Sequence, residues 1–236
     1  MVPSPGFQSR FFVLANENRT QDAGHALLRQ GRNPKVRKNS GVVSKPVILP
    51  LIDIVKQTNR DLGIKRMITK HVVVLPYDKH WARDFCEIKS EIQEALDQLA
   101  LAIEHVGSTS VHGLSAKPII DIDVVIKDYS MLDAVISALE RIDYHHEGNL
   151  GIAGREAFKY EGKTHLRKHH LYVCPRDSEE LKRHIAFREY LRSHPEAVRE
   201  YSRIKEEGAA LYPFDIEKYI EHKSPFVEKI YSEIGI

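Results

Sequence analysis

Cysteine is scarce in this chain of 236 residues, which contains only Cys86 and Cys174. Two isolated cysteines cannot form a disulfide framework, and they do not have the paired spacing of a cysteine-ligated zinc site. The composition therefore excludes a disulfide-stapled secreted domain. A chain of this kind suits a reducing compartment, and we expect a cytoplasmic location.

Long apolar runs are also missing. The most apolar stretch, residues 42–55, is interrupted by Pro46, Pro50 and Asp53, and the early run at residues 11–15 is too short for the core of a signal peptide. We therefore expect neither a membrane span nor secretion. The chain also lacks an internal repeat and a Gly-x-x-x-x-Gly-Lys-Ser/Thr phosphate loop.

The two parts of the chain carry opposite charge. Residues 1–66 hold 12 Lys and Arg against 4 Asp and Glu, whereas residues 67–236 hold 23 against 29. The first part is rich in Gly, Asn, Pro, Ser, Arg and Gln, and it cannot bury enough apolar surface to offset the entropy of ordering. We predict a basic, largely disordered extension over residues 1–66 and one folded domain over residues 67–236.

Three explanations of this basic extension remain open. It would suit nucleic acid or an anionic surface, but it carries no nucleic-acid recognition motif, so a solvated tail is favoured and nucleic acid is not indicated as a partner. Translation that starts at Met67 would be the third explanation.

Hydrophobic periodicity after Met67 predicts alternating helices and strands. Apolar residues at three- and four-residue steps, with capping residues before them, predict helices at 78–100, 130–139, 177–193, from Pro195 onward, and 215–234. Asp78, the Ser130 and Asp133 pair, and the Asp177 and Glu180 pair are the expected caps. Short β-branched runs predict strands at 72–75, 101–106, 119–126, near Tyr144, 155–160 and 170–173. The order indicates an α+β domain in which a mixed sheet is flanked by helices and followed by C-terminal helices.

The densest chemistry lies between His105 and Asp123. Asp121 and Asp123 alternate with apolar residues in the strand 119–126, so both carboxylates lie on one face of it. Two close carboxylates repel each other, and a divalent cation is the usual remedy. Hard oxygen ligands favour Mg²⁺, so Asp121 and Asp123 are the candidate metal ligands.

A candidate phosphate-binding turn precedes this strand. Gly107 has no Cβ to obstruct an approaching anion, and the amides and hydroxyls of Ser108 and Thr109 could bind it. Lys117 adds a positive charge nearby. Each feature also has an ordinary explanation, because Gly-Ser pairs are common in turns and Asp-x-Asp is common on solvated strands. The apolar surroundings of the aspartates indicate a central strand and favour the functional interpretation.

Histidines are frequent at the predicted strand ends: His105, His145, His146, His165, His169 and His170. Their spacing matches no helical zinc pair, and no cysteine partners stand nearby. We therefore favour strand-end histidines over a zinc site.

The residues described above carry a family resemblance. Gly107-Ser108 followed by Asp121-Ile122-Asp123 is similar to the signature of the nucleotidyltransferase superfamily with the DNA polymerase β-like fold. The whole segment 105–122 resembles the GrpB family, and so do the segments 74–81, 187–192, 194–196 and 201–205. The resemblance covers about residues 70–234 and none of the basic extension.

The resemblance implies metal-dependent nucleotidyl transfer. A nucleoside triphosphate would be the substrate, with its β- and γ-phosphates at Ser108 and the neighbouring amides and one or two Mg²⁺ ions on Asp121 and Asp123. An unknown acceptor hydroxyl would attack the α-phosphorus, and pyrophosphate would leave.

The chain departs from the superfamily pattern at the third carboxylate. The equivalent strand, 170–173, carries no acid, and Tyr172 stands at the relevant position. His170 is the candidate general base in its place. Lys205, Lys218 and Lys223 could complete a phosphate pocket or lie solvated on helices. A catalytically silent module that binds a nucleotide or another partner remains the alternative to an enzyme.

Overall fold

The computed structural model of the protein describes residues 71–236, which form five strands and five α-helices. The strands are β1 (Ala102–Val106), β2 (Ile120–Ile126), β3 (Tyr144–Gly148), β4 (Glu156–Tyr160) and β5 (His169–Pro175). The helices are α1 (His80–Leu96), α2 (Leu132–Glu140), α3 (Glu179–Ser193), α4 (Pro195–Leu211) and α5 (Ile216–Ile234). Short 3₁₀ turns span Asp97–Leu99, Ser108–Ser110 and Tyr129–Met131.

All five strands form one sheet in the order β1-β2-β5-β4-β3. The β2–β5 pair is parallel and the other three pairs are antiparallel. A parallel pair needs a long crossover connection, and here α2 and the β3–β4 hairpin lie between the two strands in the chain. The predicted α+β class, a mixed sheet flanked by helices, is confirmed.

One face of the sheet forms the main core. Alternation along β2 buries Ile120, Ile122 and Val124 completely, and they belong to one apolar cluster with Trp81 and Ile88 of α1. A second cluster joins the loop after β1 to the C-terminal helices. Because Ile120, Ile122 and Val124 point into this core, the two aspartates that alternate with them lie on the opposite face.

The predicted first strand, residues 72–75, is wrong. Leu75 forms an isolated bridge with Ala116, and the Val72 amide donates to the Pro213 carbonyl at 2.7 Å. A β-branched run becomes a strand only when a neighbouring strand pairs with it along its length. This segment instead connects to a loop and to the turn between α4 and α5.

Helix capping differs from the predictions at two positions. Ser178 caps α3 by accepting from the Leu181 amide, so the predicted Asp177 cap is wrong by one residue. The predicted Ser130 cap is also wrong, because Asp128 accepts from the Ser130 amide and opens the 3₁₀ turn before α2. In both cases a neighbouring side chain accepts from an amide that is free at the start of the turn or helix.

The basic extension, residues 1–66, lies outside the described residues, so its predicted disorder stays a prediction. Within residues 71–236, none of the helices is both long and apolar enough to cross a membrane. Cys86 is exposed, Cys174 is buried, and both are free thiols.

Candidate functional site

Two rows of side chains cross β1, β2 and β5 on the face opposite the main core, and we name this surface the acidic face. Register partners across the three strands define each row. The rows are Val106, Asp121 and His170, and then Glu104, Asp123 and Tyr172. Residues two apart on a strand share a face. The structure therefore brings Asp121, Asp123 and His170 together.

Each aspartate of the acidic face has a histidine partner. Asp121 Oδ1 lies 2.9 Å from His170 Nδ1, and Asp123 Oδ2 lies 2.7 Å from His184 Nδ1 on α3. Asp123 is completely buried, whereas the Asp121 side chain is one-third exposed. The two histidines therefore donate to the two carboxylates that the sequence places on one face.

The pKa values of Asp121 and His184 reflect this arrangement. Burial works to raise the pKa of Asp121, but the hydrogen bond from His170 and the charges of His170, Lys117 and His184 outweigh it and lower the pKa. Burial works to lower the pKa of His184, but the Asp123 carboxylate outweighs it and raises the pKa. Each shift favours the charged form of its group. The charged His184 imidazole therefore forms an ion pair with Asp123.

The second carboxylate oxygen of Asp123 differs from the first in its hydrogen bonding. Asp123 Oδ1 is buried and has no hydrogen-bond partner in the structure. A buried acceptor without a partner costs about 1–3 kcal/mol. Within the described part of the chain, no group of three or more His, Cys, Asp or Glu side chains could hold a metal ion. A cation on Asp121 and Asp123 would therefore need further ligands from a substrate or from water.

Gly107 lies directly against Asp121. Its φ is +67°, a left-handed conformation that favours glycine, and a Cβ at this position would lie 2.2 Å from Asp121 Oδ2. The Gly107 carbonyl accepts from the Ser110 hydroxyl at 2.6 Å. The predicted turn is therefore held next to the carboxylate by a contact that only glycine permits.

Ser108 and Thr109 follow in the 3₁₀ turn but differ in burial. Ser108 is half-buried, whereas Thr109 is 3% exposed. The Thr109 hydroxyl donates to the Ile119 carbonyl at 3.4 Å and lies 3.0 Å from His105 Nε2. The Thr109 side chain therefore has partners at the end of β1 and just before β2, and His105 lies on the core side of the sheet, as its register partner Ile122 does.

Three lysines lie in the electrostatic field of Asp121. Burial lowers the pKa of Lys117 and lowers that of Lys223 to about 8, and the Asp121 charge opposes both shifts. Lys205 is only 2% exposed, its Nζ has no hydrogen-bond partner, and burial lowers its pKa well below the usual value. Lys218 differs, because its side chain is 59% exposed and pairs with Asp215.

We expect Lys205→Met to raise the free energy of unfolding by about 1–3 kcal/mol, the usual cost of a buried polar group without a hydrogen-bond partner, which this substitution removes. The lowered pKa means that the unfolded chain binds a proton that the folded chain does not. Wild-type stability should therefore rise with pH until the unfolded lysine also deprotonates near pH 10, and the variant should lose this slope. Urea denaturation at several pH values measures both effects.

Lys229→Met is the matched control, because Lys229 lies on a helix and its side chain is 61% exposed. Its effect should stay within about 0.5 kcal/mol. A lower stability of Lys205→Met at neutral pH would show that Lys205 has a structural partner and is charged.

Helix α3 supplies two residues that the sequence analysis missed. His184 and Arg188 are one turn apart, so both reach the acidic face. The Arg188 guanidinium donates to Glu104 Oε2 and to the His105 carbonyl, each at 2.8 Å. Arg188 belongs to a segment already noted for its family resemblance. His184 is four residues before Arg188, so both lie on one face of the helix, and this spacing is the signal that could have added His184 to the predicted site.

Arg155 is a third missed residue. It immediately precedes β4 and is 6% exposed, and its guanidinium carbon lies 4.1 Å from the centroid of the Tyr172 ring. Tyr172 lies beside Asp123 in the same row of the acidic face. A single arginine before a short strand is not part of any sequence pattern, so its place in the site could not be predicted.

Comparison with known proteins places this chain in a family. The sequence profile of the GrpB protein family matches residues 71–233. The crystal structure of GrpB from Enterococcus faecalis is 36% identical, with a TM-score of 0.61 over 68% of this chain and 96% of that one.

Two further proteins are similar over a smaller share of their length. The YqkA protein of Bacillus subtilis is 32% identical over 159 residues, which are 67% of this chain and 46% of YqkA. The match therefore spans about half of that relative. The structure of Cid1 in complex with its short product ApU is 9% identical, with a TM-score of 0.40 over 56% of this chain and 40% of that one. The family predicted from residues 105–122 is confirmed, and the chain belongs to the GrpB family.

Proposed function

We propose that this protein transfers a nucleoside monophosphate from a nucleoside triphosphate to an acceptor hydroxyl, with Mg²⁺ as cofactor. The observation that carries the proposal is the contact between the Gly107 turn and Asp121, with Asp123 on the same face. A turn suited to phosphate and a pair of carboxylates suited to a divalent cation therefore lie side by side.

The donor set of the acidic face fits such a cation. Asp121 and Asp123 would hold it, and the buried oxygen Asp123 Oδ1, which has no partner in the structure, would gain one. Mg²⁺ usually takes one or two carboxylates, substrate phosphates and water, so substrate phosphates and water would supply its remaining ligands here. When bound, the cation would neutralise the charge that develops during phosphoryl transfer.

The residues around the turn would bind the triphosphate. The amides of Gly107, Ser108 and Thr109 and the hydroxyl of Ser108 would take the terminal phosphates. Lys117, Lys205 and Lys223 would add positive charge, and a bound phosphate would favour protonation of Lys205. The Thr109 hydroxyl is not assigned to the ligand, since it already has His105 and the Ile119 carbonyl as partners.

His170 is the proposed general base. It contacts Asp121 on the acidic face, and an imidazole can accept a proton near neutral pH. We expect His170→Ala to lower turnover by about 100-fold or more, the effect typical of losing a general base, with little change in nucleotide affinity. Steady-state kinetics over a range of pH, alongside nucleotide titration, would separate the two effects.

His165→Ala is the control for this variant, because the His165 side chain is 64% exposed. An equal loss of nucleotide affinity and turnover in His170→Ala would contradict the role in proton transfer. It would show instead that His170 positions Asp121.

A catalytically silent nucleotide-binding module is the second candidate function. It is favoured by Tyr172 at the place of the third carboxylate and by the pairing of Glu104 with Arg188. Glu104 lies in the same row as Asp123, but its carboxylate is already paired with the Arg188 guanidinium. Such a module would bind the triphosphate without releasing pyrophosphate.

A screen of the four ribonucleoside triphosphates with Mg²⁺ or Mn²⁺ tests the proposal, with binding and pyrophosphate release measured in parallel. Metal-dependent binding followed by pyrophosphate release on addition of hydroxyl acceptors is the expected result. Binding with no release across a broad acceptor set would favour the silent module. No metal-dependent binding of any triphosphate would overturn both candidates.

A further inference from the structure

Arg155 is a buried cation with no anionic partner in the described structure. Its residue exposure is 6%, its Nε has no hydrogen-bond partner, and the side chain forms no hydrogen bond or ion pair among residues 71–236. Its contact is with the ring of Tyr172. An arginine in a protein stays charged, and a buried charge without a partner is costly. A missing anion would account for this cost.

Sheet register places Arg155 at the acidic face. Ala157 pairs with Tyr172, so Arg155, two residues before Ala157, lies on the same side of the sheet as Tyr172. Of the two acids in the row of Tyr172, Asp123 is bonded to His184, and Glu104 is bonded to Arg188, the other guanidinium of this face. The anion for Arg155 would therefore come from outside the described residues.

The strand order separates Arg155 from the proposed triphosphate site. The Gly107 turn follows β1 at one side of the aspartates, whereas Arg155 precedes β4 on the far side of β5. In phosphoryl transfer the attacking and leaving oxygens are roughly in line. If pyrophosphate leaves over the Gly107 turn, the acceptor approaches from the side of Tyr172 and Arg155.

We propose that Arg155 binds an oxyanion, a phosphate monoester or a carboxylate, on a small acceptor molecule. This inference rests on the proposed function and names the chemistry of its acceptor. The acceptor oxygen forms a bond to the α-phosphorus, the bond from that phosphorus to pyrophosphate breaks, and the hydroxyl proton passes to His170. The planar guanidinium fork matches either oxyanion through two parallel hydrogen bonds.

A small acceptor fits this site better than a nucleic acid. A polymer is usually held through several phosphates by exposed lysines and arginines. Here one largely buried guanidinium stacks on one aromatic ring. Such a site provides one oxyanion contact beside the aspartates.

The test uses ¹⁵N NMR of the arginine Nε–H groups in the whole protein, without metal or nucleotide. The Arg155 resonance is assigned by its loss in Arg155→Lys. Sodium phosphate and sodium acetate are titrated in separate arms against sodium chloride of equal ionic strength. We expect a saturable shift of this resonance with phosphate, acetate or both, and none with chloride. The anion that saturates the shift at the lower concentration identifies the oxyanion class, phosphate or carboxylate.

A variant series adds a thermodynamic readout. Arg155→Met should melt at the same or a higher temperature than wild type without added anion, since an unpaired charge is removed. It should also lose the part of the anion-dependent rise in melting temperature that comes from anion binding at Arg155. Arg199→Met, at an exposed helical arginine, is the matched control and should keep the wild-type response.

Several outcomes would overturn the inference. These are no saturable shift with either oxyanion, an equal anion response in wild type and Arg155→Met, or a saturable shift that only a single-stranded oligonucleotide produces. A marked fall in the melting temperature of Arg155→Met would assign Arg155 a structural role. The anion titration needs neither metal nor nucleotide, so its failure is distinguishable from failure of nucleotidyl transfer.

Discussion

Asp121→Asn and Asp123→Asn should each abolish Mg²⁺-dependent binding of a nucleoside triphosphate. An asparagine oxygen can still accept from the histidine that contacts each position, His170 or His184, but the negative charge on the proposed metal site is lost. Removal of outer-shell partners alone typically costs 10–100-fold in metal affinity. We therefore expect a loss of more than about 100-fold for these direct ligands, measured by isothermal titration with Mg²⁺ present and absent.

Asp177→Asn is the control for this pair, because Asp177 is exposed and lies after β5, outside the acidic face. Circular dichroism should show all three variants folded. Asp123→Asn is the more demanding variant, because its amide group would be buried at a position that lacks a partner. Unchanged metal-dependent affinity in both site variants would remove Asp121 and Asp123 from the proposed mechanism.

Gly107→Ala should remove nucleotide binding and also destabilise the fold. With φ +67° and ψ −171°, Gly107 lies in a region that is essentially restricted to glycine, and a non-glycine residue there costs about 1–3 kcal/mol. The added Cβ would also lie 2.2 Å from Asp121 Oδ2 and 2.9 Å from Asp121 Cβ, so the strand or the turn must shift. Overpacking of this kind typically costs 1–3 kcal/mol more. Urea denaturation and metal-dependent nucleotide titration would measure the two effects.

Gly162→Ala isolates the second cost. Gly162 has a φ of +72°, close to that of Gly107, but a Cβ there would meet no atom within 4 Å. The control should therefore pay only the conformational cost and keep nucleotide binding. Equal destabilisation by the two variants would show that the contact with Asp121 carries no energy, and intact nucleotide binding in Gly107→Ala would contradict the proposed turn.

Local pattern predicted the parts of the site that lie on β2. Alternation through residues 119–126 placed Ile122 in the core and both aspartates on the other face, since strand geometry fixes these directions. The Gly107 turn followed from its position after β1. In contrast, the nucleotide, the metal and the acceptor stay predictions, because a face and a turn do not define a ligand.

Long-range partners could not be predicted in the same way. His184 is 61 residues from Asp123 in the chain, and it reaches the carboxylate because α3 packs against that face. Local periodicity says nothing about which helix covers which side of a sheet. The wrong strand at 72–75 has the same origin, since its composition suits a strand but the fold offers it only a single bridge at Leu75.

The central position of β5 also determines when the site can form during folding. β5 is the last strand in the chain, yet it lies between β2 and β4. The β1–β2 pair and the β3–β4 hairpin are each local in sequence, but β5 joins them into one sheet. Non-local strand pairing is slow because loop closure precedes the contacts that reward it. The pairing of Asp121 with His170 therefore forms only after β5 has docked, so a chain that stalls before this step has two separate β-units and no site.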